Sequence, residues 1–379
     1  MAKLCKKAFI CQLEEFNFCF ERMIDFKELY NNIKLRNSKI LSEDLSDENW
    51  LNDFKTNYDY IVVGASFDPQ RFENIESAKQ ALDFLITKLK VKDIRFWVRW
   101  NIVGDIIDLD FYNPFFEILV KYNVTLCLNL GPIKTARWPE IHLPQKYEKD
   151  LNQLSKFPKT ANPNSEIFKT GLEYLDRLCL KLSNDFPNLI KITKIVQANN
   201  EAFNPFGIPK ILLPLEFELQ SQKTIKKYFK DSDVLNNSAG RYQLNQLLNV
   251  SKIVDYKCVF GFDYYYLIPA NNYFLLNYLE AFSFGFPFNP SINYFLRRIN
   301  NTKHYFEFTE VQIEKWGKVT KTANNIQNIK YVFSRLAPYK PHSQKNLVLR
   351  LWGVEDLIKE YFRNSKEHIR IVDLISKIN

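Results

Sequence analysis

Residues 60–100, YIVVGASFDPQRFENIESAKQALDFLITKLKVKDIRFWVRW, decide the fold. They open on a β-branched and aromatic run, YIVVGASF (60–67). Ile75, Ala78, Leu82, Leu85, Ile86 and Leu89 then recur at the spacing of one helix face, and a second such run, DIRFWVRW (93–100), follows. A strand, an amphipathic helix and a second strand in this order form the parallel βα unit. The turn GASFDPQRF lacks the glycine-rich phosphate loop that usually opens a doubly wound sheet, which leaves the open sheet as the second choice.

The alternation continues outward from this unit. A helix is expected near 111–122, a strand at NVTLCLNLG (123–131) and, after a long connection through RWPEIHLP, a helix over 165–185. Further strands read as IKITKIVQANNE (190–201), SDVLNNSA (232–239), YKCVFGFDYYY (256–266), KHYFEFTEV (303–311) and KNLVLRLWG (345–353), each with a helical pattern behind it. Eight strand–helix units over roughly 300 residues have the number and scale of an α/β (β/α)8 TIM barrel. Residues 1–58, with the helix-start signal SDENW, are expected to form an N-terminal helical extension packed on a barrel of residues 59–379.

Composition removes several functional classes. With 46% hydrophobic and 25% charged residues, the 379-residue chain is neither disordered nor collagen-like. Its aromatic share, 15%, is the unusual figure. The net charge of +9 comes from lysines spread over nearly every segment, which reads as solvated surface and not as a nucleic-acid footprint. The six cysteines contain no C-x-x-C pair, and Cys127 and Cys258, inside apolar runs, read as buried thiols. The four histidines have no partners at metal-ligand spacing, so no metal is expected, and no other cofactor either. Neither a G-x-S-x-G elbow nor a P-loop is present. The start MAKLCKKAFICQLEEF has too short an apolar stretch for a secretory signal, and no run approaches the roughly 18–20 residues of a membrane span. A cytoplasmic protein with no membrane partner is expected.

Barrel enzymes carry their chemistry at the C-terminal ends of strands. In strand four Gln197, Asn199 and Glu201 alternate with Val196, Ala198 and Asn200, and a period of two aims the first set at one face. Strand seven runs into EFTEVQIEKWG (307–317), with Glu310 at the tip and Gln312, Glu314 and Trp316 entering the loop. Glu307 has the opposite parity and is expected to point away from the barrel axis, while Glu314 and Glu355 sit past the strand tips. Two carboxyls over a barrel mouth suit glycoside cleavage: about 5–5.5 Å apart for retention of configuration, wider for inversion.

Four motifs in strand order resemble those of glycoside hydrolase clan A, the cellulase-like retaining barrel enzymes. They are IRFWVRWN (94–101), NNEAF (199–203), FTEVQIEKWG (308–317) and LRLWGVED (349–356). The resemblance covers roughly residues 60–362 and implies Glu201 as general acid/base, Asn200 as the ligand of the sugar 2-hydroxyl and Glu310 as nucleophile. It also implies that Arg95 lies beside Glu310 and favours its charged form. Trp352 would stack on the sugar. One tyrosine hydroxyl of FDYYY should bond the nucleophile, Tyr265 ahead of Tyr264. The loop GPIKTARWPEIHLP (131–144) would line the cleft with Lys134, Arg137, Trp138 and Glu140, and Trp100 and Trp316 would join the aromatics at the mouth. The expected activity is retaining hydrolysis of a β-linked oligosaccharide or glycoside. The alternative is a catalytically idle barrel that binds glycans or a protein partner.

Overall fold

All eight expected strands form: β1 (Ile61–Phe67), β2 (Asp93–Trp97), β3 (Thr125–Asn129), β4 (Thr193–Gln197), β5 (Asp233–Ser238), β6 (Cys258–Tyr264), β7 (Tyr305–Gln312) and β8 (Leu347–Trp352). Each pairs in parallel with the next, and β8 returns to β1, so the sheet closes into a (β/α)8 barrel. The structure, a computed structural model, describes residues 46–137, 139–147, 165–204, 211–238, 241–265, 268–269, 278–279, 296–299, 302–314, 325–340 and 344–379. Of the expected N-terminal extension, residues 1–45 therefore lie outside the described residues. One helix, Asp47–Asn57, forms at the SDENW signal.

The helices arise where the apolar stripe and the caps agree. Helix α1 (Ile75–Thr87) opens on a capping box between Asn74 and Ser77, and its stripe of Ala78, Ala81, Leu82, Leu85 and Ile86 is buried. Helices α2 (Asn113–Lys121), α3 (Glu166–Asp185), α4 (Leu215–Tyr228), α5 (Arg241–Ile253), α6 (Ile326–Leu336), α7 (Val354–Phe362) and α8 (Lys366–Ile378) follow in chain order. Strand four is shorter than its apolar run suggested. Pro187 starts a helical turn, Pro187–Ile192, that takes up residues 190–192. Among the described residues no helix is long and apolar enough to cross a membrane.

Inside the barrel, Cys127, Ile195, Leu235 and Val259 pack as one apolar cluster, with Tyr305 against it. Cys127 and Cys258 are both fully buried free thiols. Beside the cluster runs Arg350 of β8, whose guanidinium donates to Asp93 (2.7 Å) and to Glu307. It passes there because β1 has Gly64: a Cβ at that position would come within 2.9 Å of the Arg350 side chain.

The position of Glu307 corrects the parity argument. Its side chain turns to Arg350 inside the barrel, not away from the axis. The cause is a bulge in β7. Phe262 and Asp263 of β6 face Phe308 and Glu310, and Leu349 and Leu351 of β8 face Phe308 and Val311, so both neighbours register one extra residue near Thr309. An extra residue resets the alternation, and Glu307 and Glu310 can both face inward although they are three apart.

Candidate active site

One guanidinium organises the barrel mouth. Arg95 of β2, fully buried, donates from Nη1 to Glu310 Oε1 (2.7 Å), from Nη2 to Asn200 Oδ1 (2.5 Å) and from Nε to Gln197 Oε1 (3.0 Å). Its planar fork thus ties β2, the end of β4 and β7 together. The second oxygen of Glu310 accepts from the Tyr265 hydroxyl, so the tyrosine favoured from the sequence is the one at this carboxylate.

The end of β4 departs from simple alternation. The strand stops at Gln197, and Asn199 leaves the mouth: its Oδ1 accepts from the Lys134 amide (3.1 Å), and its Nδ2 donates to Glu218 of α4 (2.8 Å). Asn200 takes the place at Arg95 instead. Glu201 follows in the left-handed region at φ +43°, a conformation that costs a non-glycine residue energy and needs support from its surroundings. Support comes from three directions. Its N–H donates to Asn237 Oδ1 (2.9 Å), its carbonyl accepts from Lys134 Nζ (3.0 Å), and its Oε1 accepts from Asn204 Nδ2 (2.5 Å). Lys134, buried in the loop after β3, also donates to the Asn204 carbonyl (2.8 Å) and lies 3.6 Å from the Glu140 carboxylate.

The electrostatics separate the two glutamates. Burial, followed by the charges of Glu140, Asp263 and Glu310, pushes the Glu201 carboxyl well above the ordinary carboxylate range; Lys134 opposes this. Glu310 is held in an ion pair with Arg95. Burial also raises the Tyr265 hydroxyl, with Glu310, Asp263 and Glu201 adding to it, so the tyrosine remains a donor. Glu140 is pushed up to about 7, again chiefly by burial. One end of the barrel thus offers a buried carboxyl raised well above the ordinary range, Glu201, and a second glutamate held in an ion pair, Glu310.

Trp352 ends β8 as expected, but its ring is not an open platform. It is 4% exposed, the Arg137 guanidinium lies 4.2 Å from its centroid, and its Nε1 donates to Glu314 Oε1 (2.9 Å). Arg137 is in turn paired with Glu314 (2.8 Å) and Glu355, the Glu355 Oε1 accepts from the Asp68 amide (2.6 Å), and Asp68 pairs with Arg99 (3.0 Å). Gly353 makes the approach possible, since a Cβ there would come within 2.3 Å of Glu314 Cβ. Glu314 and Glu355, placed by sequence beyond the strand tips, are therefore buried members of a charged network. Trp100 is fully buried and stacked on Tyr174 at 4.4 Å, so it belongs to packing and not to the mouth. Trp138 and Trp316 lie outside the described residues.

Of the residues singled out from sequence, Arg95, Asn200, Glu201, Tyr265 and Glu310 meet at one end of the barrel. Asn237, Asn204 and Thr309 were not singled out. For Asn237 a signal existed, because it shares the inward parity of β5 with Leu235; Thr309 had none, because alternation turns the neighbour of an inward Glu310 outward and only the bulge lets both face in.

No protein-family model matches the sequence, and no curated protein matches it. Solved structures do match in shape. A GH10 endoxylanase retrieved from a sugarcane soil metagenome is 12% identical, with 80% of this chain and 88% of that one covered and a TM-score of 0.50. The catalytic domain of a β-amylase from Paenibacillus polymyxa is 9% identical, with 79% and 94% covered and a TM-score of 0.52. At such identities the likeness establishes the shared (β/α)8 fold.

Proposed function

We propose that this chain is a cytoplasmic retaining glycoside hydrolase of clan A that cleaves a β-linked oligosaccharide or glycoside without metal or organic cofactor. The observation that carries the reading is the pairing of Glu201, whose buried carboxyl is raised well above the ordinary range, with a Glu310 held by Arg95 and Tyr265 at the C-terminal end of the barrel. The fold shared with an endoxylanase and a β-amylase is compatible with it.

In the first step a Glu310 oxygen attacks the anomeric carbon as the bond to the leaving oxygen breaks, and that oxygen takes the Glu201 proton. The product is a glycosyl ester on Glu310. Water then attacks the same carbon, gives its proton to the Glu201 carboxylate and releases Glu310. The Arg95 and Tyr265 hydrogen bonds hold the attacking carboxylate in one orientation, and Asn200, fixed by Arg95, is set to meet the sugar 2-hydroxyl.

Turnover of aryl β-glycosides by the wild type, Glu201→Ala and Glu310→Ala, with and without azide, tests the reading. Loss of activity in both variants, with azide restoring part of it, is expected; wild-type rates in either variant sink the assignment.

A further inference from the structure

Asn237 of β5 takes no part in the reaction above, yet every hydrogen-bonding position of its side chain is in use. Its Oδ1 accepts from the Glu201 N–H (2.9 Å) and from Gln197 Nε2 (2.5 Å), and its Nδ2 donates to Asn200 Oδ1 (2.8 Å) and to Asp263 Oδ2 (2.8 Å). A side-chain amide has two acceptor and two donor positions, so these bonds fill it. Asn237 is 3% exposed, and a bond lost there is not readily replaced by solvent. Gly261, its partner on β6, leaves it room: a Cβ at that glycine would come within 2.7 Å of Asn237 Cβ.

The neighbours fix which way the amide points. The Arg95 guanidinium can only donate, so Asn200 turns its oxygen toward Arg95 and presents an acceptor to Asn237. The Glu201 N–H can also only donate, so it needs the Asn237 oxygen. A reversed amide would set oxygen against oxygen on one side and N–H against N–H on the other. In the orientation that remains, a continuous run of bonds leads from the Glu201 backbone through Asn237, Asn200 and Arg95 to Glu310. At φ +43°, Glu201 has a backbone conformation that a glutamate keeps only when its surroundings hold it. The bond at its N–H fixes the peptide plane from which the residue departs, and with it the direction of the carboxyl.

We propose that Asn237 is a positioning residue that holds Glu201 in its left-handed conformation and keeps the acid carboxyl in fixed relation to Glu310. This rests on the reading of Glu201 as the acid and Glu310 as the nucleophile. Asn237 acts through the Glu201 backbone and not on the bond being cleaved. Without it, Glu310 is still held by Arg95 and Tyr265 and can attack, but the proton is no longer delivered in line with the departing oxygen. The loss therefore falls on substrates whose leaving group needs that proton.

The test pairs amide hydrogen exchange, read residue by residue by NMR on the full-length protein, with kcat/KM on aryl glycosides of rising phenol pKa. In the wild type the Glu201 amide should be protected. In Asn237→Ala it should exchange at least about tenfold faster, while the Leu347 amide, bonded to the Tyr60 carbonyl at the start of β8, keeps its rate. The same variant should lose at least about tenfold more kcat/KM on the poorest leaving group than on a dinitrophenyl glycoside. A general loss of folded protein would lower both alike. Asn237→Ser, whose hydroxyl is too short to reach the Glu201 N–H, serves under the same criteria if Asn237→Ala does not fold. An unprotected Glu201 amide in the wild type, unchanged exchange in the variant, or equal losses across the series overturns the proposal. A wild type that cleaves no aryl glycoside defeats the glycosidase reading instead, and the exchange rates still decide whether Asn237 holds Glu201.

Discussion

Two buried arginines cross the barrel interior, Arg95 near the mouth and Arg350 deeper, and their partners differ in kind. Arg350 donates to two carboxylates, Asp93 and Glu307. Arg95 donates to one carboxylate and to the amide oxygens of Gln197 and Asn200. At the mouth the ion pair is surrounded by further carboxyls, Glu201 and Asp263, that burial and then neighbouring carboxylates push well above the ordinary range. Arg350 thus gathers carboxylates alone, whereas Arg95 fixes amide side chains beside its carboxylate, and the contrast separates a charge cluster that supports the fold from one placed to meet a ligand.

The largest expected effects are catalytic and confined to the mouth. Glu310→Ala should lower kcat on aryl glycosides by at least about 10⁴-fold, the scale of losing a nucleophile, and should also lower the thermal midpoint, because it strands the buried Arg95 guanidinium. Glu201→Ala should cost about 10²–10⁴-fold, and less on substrates with acidic phenol leaving groups, which need little protonation. An equal loss on all leaving groups would break the distinction between the two glutamates.

Arg350→Met should show the opposite pattern. It strands Asp93 and Glu307 in the barrel interior and should destabilise the protein by about 3–5 kcal/mol in urea unfolding. Variant protein that remains folded should bind substrate with nearly wild-type KM. A stable, inactive Arg350→Met would erase the division between the two clusters.

The smallest effect is a pH dependence of stability. Glu307, raised to about 7 from 4.5 mainly by burial and only partly relieved by Arg350, binds its proton more tightly folded than unfolded. Between those values the native state holds more protons than the unfolded one, so stability should fall as pH rises from about 4.5 to about 7 and level off above. Glu140 and Glu355, each raised to about 7, act with the same sign. Urea midpoints at pH 5 and pH 7.5 check this, and Glu307→Gln should flatten the difference.

The strand count and order were legible because buried parallel strands carry apolar runs and their helices carry a stripe, and both signals are local. Glu201 and Glu310 were singled out from their place near strand ends, whereas Arg95, in the middle of β2, and Tyr265 came only from the resemblance to clan A; the structure brings the four together, and their roles belong to the proposed function. Asn199 was misplaced by the same reasoning: alternation holds only while the strand lasts, and β4 ends at Gln197. Trp352 was placed at the right strand end but read as open, because nothing local says that Arg137 of a distant loop will cover its ring.

By itself the sequence determined the eight-unit barrel and the residue types at its mouth, since hydrophobic periodicity and chemical identity are properties of neighbouring residues. Only the tertiary structure decided which carboxyl each cation engages, that Glu307 turns inward, and that one amide, Asn237, bonds both the Glu201 N–H and Asp263. Those outcomes depend on a one-residue bulge in β7, on a glycine in β1 that admits Arg350, and on distances between residues far apart in the chain.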